Sequence, residues 1–130
     1  KKIDFTKKDF EKIILNLQKK YQFTISVLQV NFVESDFMIE LNNKFLKHNY
    51  DTDILTFNYS SEEKNICAEI YISIEMAMEN AKKFKVTNKH EFYRLVIHGI
   101  LHLLGFNDKT PKQKKIMKLE EETDLKEFGF

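Results

Sequence analysis

One long apolar segment constrains the fold of this chain more than any other feature. If residues 92–104 form a helix, apolar side chains occupy nearly every side of it; they are Phe92, Leu95, Val96, Ile97, Ile100, Leu101, Leu103 and Leu104. A helix that is apolar all round is normally buried, because no face of it is suited to water. We therefore expect this helix to lie in the core of the fold.

Length and charge limit the class of protein. The chain has 130 residues, of which 42% are hydrophobic, which suits one compact domain over residues 1–130. The formal net charge of +1 does not itself predict a nucleic-acid binder, so any RNA contact must be a local patch. A lone cysteine, Cys67, favours a reducing compartment, and we expect it to be a small buried hydrophobe. No apolar stretch reaches the roughly 18 residues that cross a bilayer, so we expect a cytoplasmic protein without a membrane partner.

The spacing of apolar residues predicts the element order α-β-α-β-β-α-α-α. This order indicates an α+β fold: a single domain with a small mixed sheet of about three to four strands, packed with about five helices. The first strand, second helix and second strand imply that the two strands form a parallel pair with a right-handed crossover. The alternating residues 66–74 predict a third strand, antiparallel to the second.

Each predicted helix begins at a residue that can cap it. These residues are Thr6, Ser35 or Asp36, Ser73, Asn88 with Glu91, and Thr110 with Pro111 and Gln113. The second helix should end near His48 and Asn49, and the second strand should span residues 54–59. Gly105 suits the left-handed residue that commonly closes a helix, and the last helix should run to about Leu125.

Two histidines in the apolar helix form the strongest functional pattern. His98 and His102 are four residues apart, so their Cβ atoms lie about 6 Å apart on one face. A shared cation would satisfy both buried rings. Because Gly105 lets the chain reverse, Asp108 could fold back as a third ligand. Two imidazoles, one carboxylate and a place for water are typical of catalytic zinc, which lowers the pKa of water towards about 7. We therefore expect one zinc ion per chain, or another divalent metal, and a hydrolytic reaction.

Other interpretations of the same residues stay open. The two histidines could be core residues that bond backbone carbonyls, and Asp108 could be a solvated loop residue or a cap for the next helix. The ligand set also occurs in non-haem iron oxygenases. A zinc peptidase is disfavoured, because its general base would be a glutamate directly after the first histidine, where this chain has Gly99.

The segment HGILHLLGFND at residues 98–108 resembles the H-G-x-L-H-L-x-G-Y-D-H signature of the YbeY family. All positions of residues 98–105 agree with it. Leu41 and Asn42, together with residues 52–57, resemble the family's LN and PT-[ND]-V-L-S-F block, and residues 68–73 lie where the family carries its G-D-I-x-I-S strand. The family comprises bacterial single-strand-specific endoribonucleases of ribosomal RNA maturation.

The resemblance implies a metal-dependent endoribonuclease that acts in ribosomal RNA maturation and ribosome quality control, with single-stranded RNA and the ribosome as partners. This chain departs from the family's pattern at several positions, among them Asn107, where the family has aspartate, and two departures bear most on the site. Asp108 stands where the family usually has histidine, although a carboxylate is also a competent zinc ligand. Leu46 stands where the family typically has arginine, a group that can bind phosphate or stabilise charge. Lys47 is a candidate substitute only if the backbone presents it to the site.

Lysines after Asp108 are candidates for binding the RNA backbone; they are Lys109, Lys112, Lys114, Lys115 and Lys118, among which we single out Lys109, Lys112 and Lys115. They could equally be ordinary solvated surface. The missing arginine at Leu46 motivates an alternative function, a non-catalytic ribosome-associated RNA-binding or assembly factor whose metal only stabilises the fold. A metal-dependent hydrolase of another substrate is a further alternative, since unrelated chemistries use the same ligands.

Overall fold

A computed structural model describes residues 3–47 and 52–130 of the chain. The helices in these residues are α1 (Lys7–Tyr21), α2 (Ser35–Leu46), α3 (Ile74–Phe84), α4 (Asn88–Leu103) and α5 (Pro111–Lys126), and the strands are β1 (Thr24–Val33), β2 (Ile54–Asn58) and β3 (Asn65–Ser73). The predicted α+β class and element order are confirmed. No helix in the described part of the chain is long and apolar enough to cross a membrane.

The sheet has the strand order β1-β3-β2, so β3 lies in the middle. Strand β2 pairs antiparallel with β3, as predicted, with Ile54 opposite Ile72. The predicted parallel pair of β1 and β2 is wrong, because β1 instead pairs in parallel with β3, where Thr24 lies opposite Asn65. The alternation in β3 is the reason: every second side chain is buried, and a central strand can bury that row along its whole length.

Helix α4 covers the apolar face of the sheet. The buried row of β3, which consists of Ile66, Ala68, Ile70 and Ile72, is at most 2% exposed. Phe92, Val96 and Ile100 of α4 are fully buried in the same core. The prediction that this helix is buried is therefore confirmed, and its position fixes where the two histidines lie.

Gly99 lets α4 approach the sheet closely. A Cβ atom at this position would lie 2.8 Å from Cδ1 of Ile70 and 3.2 Å from Cδ1 of Ile54. Both distances are shorter than ordinary carbon contacts. The absence of a side chain at Gly99 therefore brings the neighbouring His98 and the second histidine, His102, close to strand β2.

Most predicted helix starts are correct. Thr6 and Thr110 each form a capping box, and Ser73 caps α3 by accepting from the backbone of Met76. The cap of α4 is Thr87 instead of Asn88: its hydroxyl accepts from the His90 backbone at 3.0 Å. Glu91 does not form the predicted capping box; its carboxylate is engaged by Arg94 and Asn80.

Smaller differences concern α2, β2 and Cys67. Helix α2 follows Glu34, which makes no side-chain capping bond, so neither Ser35 nor Asp36 is the cap. The predicted end of α2 near His48 and Asn49 falls outside the described residues. Strand β2 ends at Asn58 instead of residue 59, and Cys67 is half-buried because it alternates with the core row of β3.

Gly105 closes α4 as predicted. Its φ is 106°, in the left-handed region that favours glycine. The Gly105 N–H donates to the His102 carbonyl and the Phe106 N–H donates to the Leu101 carbonyl, each at 3.1 Å. This pair of backbone hydrogen bonds is a Schellman motif. It reverses the chain immediately after the second histidine and so returns Asp108 towards α4.

Helix α5 is fastened to α1 by a buried carboxylate. Asp124 is 0% exposed. It accepts a bond of 2.6 Å from Lys20 Nζ and one of 2.9 Å from the Tyr21 hydroxyl. Burial raises the pKa of Asp124, and Lys20 and Tyr21 act against that rise. These contacts hold α5 in place, which brings one of its glutamates against α4.

A second buried carboxylate, Asp9, should make the stability of the fold depend on pH. Asp9 accepts bonds from the Tyr93 hydroxyl and from the Thr6 N–H. Burial acts to raise the pKa of Asp9, but these bonds outweigh it and the pKa is lowered. A lowered pKa stabilises the fold above the unfolded value of about 3.9, and this contribution is lost as the pH falls through the folded value.

We therefore expect Asp9→Asn to cost about 1.5–3 kcal/mol of unfolding free energy at pH 7 and clearly less at pH 3. Urea unfolding at both pH values measures the difference. Glu11→Gln, an exposed position on the same helix, should change little at either pH. An equal loss for Asp9→Asn at the two pH values would contradict the role of its charge.

Candidate active site

A cavity of about 300 Å³ lies between the end of α4, strand β2 and the turn after α4. Its described walls consist of Thr52, Asp53, Ile54, Thr56, His98, His102 and Asp108. Helical spacing places the two histidines on this wall, and the turn at Gly105 brings Asp108 to it. The structure thus places all three side chains that the sequence predicts as metal ligands on the walls of one cavity.

The His98 ring is held between two carboxylates. Its Nε2 lies 3.7 Å from Oδ2 of Asp108, and its Nδ1 bonds Oε2 of Glu121. Burial alone lowers the pKa of His98, but the bond and charge of Glu121 outweigh burial and the pKa is raised. The ring therefore presents one nitrogen to the cavity and the other to helix α5.

Arg94 and its partners form a polar network behind the histidine. Arg94 donates to Glu91 from Nε at 2.9 Å and from Nη2 at 2.7 Å, and to Glu121 from Nη1 at 3.3 Å. Asn80 donates to both Asp53 and Glu91 at 3.0 Å. Burial acts to lower the pKa of Arg94, but the surrounding carboxylates outweigh the effect of burial, so the pKa of Arg94 is raised.

The sequence pattern does not single out Glu121, because this residue lies in a run of three glutamates, residues 120–122, which resembles solvated surface. One signal could have revealed it. Met117, Glu121 and Leu125 recur at a spacing of four, and the two apolar members predict a buried face. A buried carboxylate on that face needs a hydrogen-bond partner. In the structure, Arg94 and His98 are the partners of Glu121.

A larger groove, which we call the α4–α5 groove, adjoins the cavity. It has a volume of about 480 Å³ and shares His98 and Asp108 with the cavity. Lys114 and Lys118 of α5 line it, whereas the predicted RNA-binding residues Lys109, Lys112 and Lys115 are not among its lining residues. Successive helix residues point about 100° apart, so only one set of these lysines can face the groove.

Comparison with known proteins identifies the family. The family model described as Endoribonuclease YbeY matches residues 1–129. The chain belongs to the YbeY family. The relatives named Endoribonuclease YbeY include a protein of Cytophaga hutchinsonii, 38% identical over 109 residues that cover 84% of this chain and 76% of that protein. Another, from Phocaeicola vulgatus, is 34% identical over 122 residues that cover 94% of this chain and 88% of that protein.

A solved structure has a similar fold. The solution structure of TM1509 from Thermotoga maritima matches with a TM-score of 0.61 and 31% sequence identity, over 92% of this chain and 83% of that chain. The family model and the relatives confirm the resemblance found in the sequence motifs, and the fold also occurs in this solved structure.

The donor atoms on the cavity wall fit a divalent cation in type, although they do not surround one point. Within residues 3–47 and 52–130, no three His, Cys, Asp or Glu side chains are grouped closely enough to hold a metal ion. His98 and Asp108 face each other, and His102 is exposed on the same wall. A ligand set that closes around one ion would require at least one of these side chains to move.

The position that typically carries arginine in the YbeY family does not contribute to the cavity here. Leu46 is the last residue of α2 and is 48% exposed. Lys47 follows it with a φ of 59°, and neither residue is among those that line the cavity. The described cavity wall carries no lysine or arginine. A role of Lys47 in the chemistry stays a prediction.

Proposed function

We propose that this chain is an endoribonuclease that cleaves single-stranded ribosomal RNA with the help of a divalent cation, of which zinc is the first candidate. The observation that carries the proposal is that His98, His102 and Asp108 line one cavity. The names of the relatives, which are endoribonucleases, support RNA as the substrate. Ribosomal RNA as the target is part of the proposal and follows from the resemblance to the family.

The chain's own residues prepare the site for a phosphodiester. His98, His102 and Asp108 would hold the cation, which when bound supplies Lewis-acid stabilisation of charge on a phosphoryl oxygen and lowers the pKa of water. Asp53 is held by Asn80 at 3.0 Å, so its carboxylate has a defined place on the wall. Thr56 adds a hydroxyl that can donate to a phosphate oxygen, and Ile54 adds an apolar side chain to the wall.

Metal content gives the direct test of the proposal. Protein purified without added metal should contain about one divalent ion per chain by elemental analysis. A chelator should lower the melting temperature and stop cleavage of single-stranded RNA, and added zinc should restore both. A duplex of the same sequence should resist cleavage. Chelator-treated protein that is free of metal and still cleaves at the parent rate would contradict the proposal.

The alternative of a non-catalytic RNA-binding factor has one specific observation in its favour, the absence of a cationic side chain on the described cavity wall. The same cleavage assay separates the two functions. A parent protein that binds zinc and RNA but does not cleave, together with a Leu46→Arg variant that does, would favour the binding factor. Cleavage by the parent would exclude it.

The α4–α5 groove predicts which lysines contact RNA. Lys114 and Lys118 line the groove beside His98, and they form no ion pair with a carboxylate in the described ranges. We expect Lys114→Ala with Lys118→Ala to weaken binding of single-stranded RNA and to reduce the slope of log K against log salt by about 1.4, since each phosphate contact contributes about 0.7.

Lys112→Ala with Lys115→Ala provides the matched control, because it removes the same charge from the same helix outside the groove. Fluorescence anisotropy at several salt concentrations measures both pairs. Equal losses in the two double variants would mean that only net charge matters and that the groove does not bind RNA.

A further inference from the structure

Glu121 is the residue outside the predicted ligand set that bears most directly on the site. Its side chain is 7% exposed, between α4 and α5. One carboxylate oxygen, Oε2, bonds Nδ1 of His98, and the other, Oε1, accepts a bond of 3.3 Å from Nη1 of Arg94. Both oxygens are thus engaged, one of them by the imidazole that faces the cavity.

We propose that Glu121 is a positioning residue that holds the His98 ring with Nε2 towards Asp108, and that Arg94 in turn holds Glu121. The inference rests on the proposed metal site and deepens it. A neutral imidazole carries one proton, on either nitrogen. A carboxylate acceptor at Nδ1 keeps the proton there, so that Nε2 remains the nitrogen available to a ligand in the cavity.

Arg94 connects Glu121 to the opposite wall of the site. Two of its nitrogens donate to Glu91, whose side chain is 1% exposed. Asn80 bridges Glu91 to Asp53 with two bonds of 3.0 Å, and Asp53 lines the cavity immediately before β2. One continuous network therefore fixes Glu121 relative to both walls of the site.

The two histidines differ in how they are held. The His98 side chain is 21% exposed and has a carboxylate near each nitrogen. His102 is exposed, and no side-chain hydrogen bond reaches its ring from the described part of the chain. The network therefore orients one ligand in advance and leaves the other to be ordered by whatever enters the cavity.

A purely structural role for Glu121 is the competing explanation, because a buried pair with Arg94 also fastens α5 to α4. The two roles differ in their effect on the imidazole. A structural pair has no influence on which nitrogen of His98 is protonated. A positioning residue does, and its loss should be visible in the ring without any assay of activity.

Long-range ¹H–¹⁵N NMR of the metal-free full chain, recorded at a pH where the His98 signals are those of a neutral ring, reports which nitrogen carries the proton. We expect the His98 proton on Nδ1 in the parent. In Glu121→Leu, which keeps a similar volume but has no acceptor, we expect the proton to move towards Nε2. Glu122→Leu, an exposed position next to it, should leave the His98 signals as in the parent.

Zinc affinity, measured by competition with a chromophoric chelator, provides the second readout. We expect Glu121→Leu to weaken binding about 10–100-fold and Glu122→Leu to leave it unchanged. A folded Glu121→Leu protein that binds zinc like the parent would overturn the inference. So would a parent in which His98 carries its proton on Nε2, whether or not any variant folds. If the parent binds no zinc, the proposed metal site fails, whereas the NMR result still decides the role of Glu121.

Discussion

Replacement of His98 or His102 by alanine is expected to reduce cleavage of single-stranded RNA by about 10²–10⁴-fold. Lewis-acid stabilisation is worth several kcal/mol, and each 1.36 kcal/mol changes the rate about tenfold. The two variants should differ in stability. His98→Ala removes a partner of the buried Glu121, whereas His102→Ala removes an exposed ring. We therefore expect only His98→Ala to lower the melting temperature clearly.

His90→Ala is the matched control for both substitutions. His90 lies on the same helix; it lines the α4–α5 groove but not the cavity, and its ring stacks on Phe130 at a centroid distance of 4.8 Å. With RNA at a saturating concentration, its loss should leave the cleavage rate within about twofold of the parent, since no metal ligand is removed. If His102→Ala cleaves at the parent rate under conditions in which His98→Ala does not, the predicted ligand set is wrong.

Gly99→Val is expected to cost about 1–3 kcal/mol of unfolding free energy, the usual range for overpacking a core. Even a Cβ atom there would approach Ile70 Cδ1 to 2.8 Å, and valine adds two more carbons. Helix α4 would have to move away from the sheet. Because His98 and His102 lie on that helix, we also expect weaker zinc binding. Urea unfolding and zinc titration measure the two effects.

A smaller change at the same position tests whether contact with Ile70 is the reason that position 99 requires glycine. Gly99→Ala adds only the Cβ atom, whose nearest neighbours are the ends of two flexible side chains. Ile70→Val removes the Cδ1 atom that it would meet. We expect the double variant to lose less stability than the sum of the two single variants, since the second change makes room for the first. Strict additivity would mean that contact with Ile70 is not what requires glycine.

The parts of the fold that the sequence predicts are those that depend on neighbouring residues. The capping boxes of Thr6 and Thr110 involve residues three apart, and the turn at Gly105 closes over a few bonds. Strand partners are different. The residues of β1 do not say whether β2 or β3 will lie beside them, because both offer backbone groups and apolar side chains. The partner of β1 is decided by which strand takes the central position of the sheet, and here that strand is β3.

The same distinction applies to the candidate site: some of its contacts follow from local spacing and others depend on how distant elements pack. The histidine pair lies on one helix and Asp108 follows after one turn, so local spacing was enough to predict that they share a wall. Glu121 and Arg94 come together through the packing of α5 on α4, which no local pattern specifies. The lysines of α5 show the same division: their spacing gives their relative directions, but not which of them face the groove.

The link between α1 and α5 determines when this site can be completed. Lys20 and Tyr21 hold α5 through Asp124, and α5 carries the carboxylate that bonds His98. A ribosome synthesises the histidine helix first and the helix that orients its ring afterwards. Maturation of the site is therefore a late event of biosynthesis, and a nascent chain interrupted after residue 110 would carry the histidines without the support that aligns them.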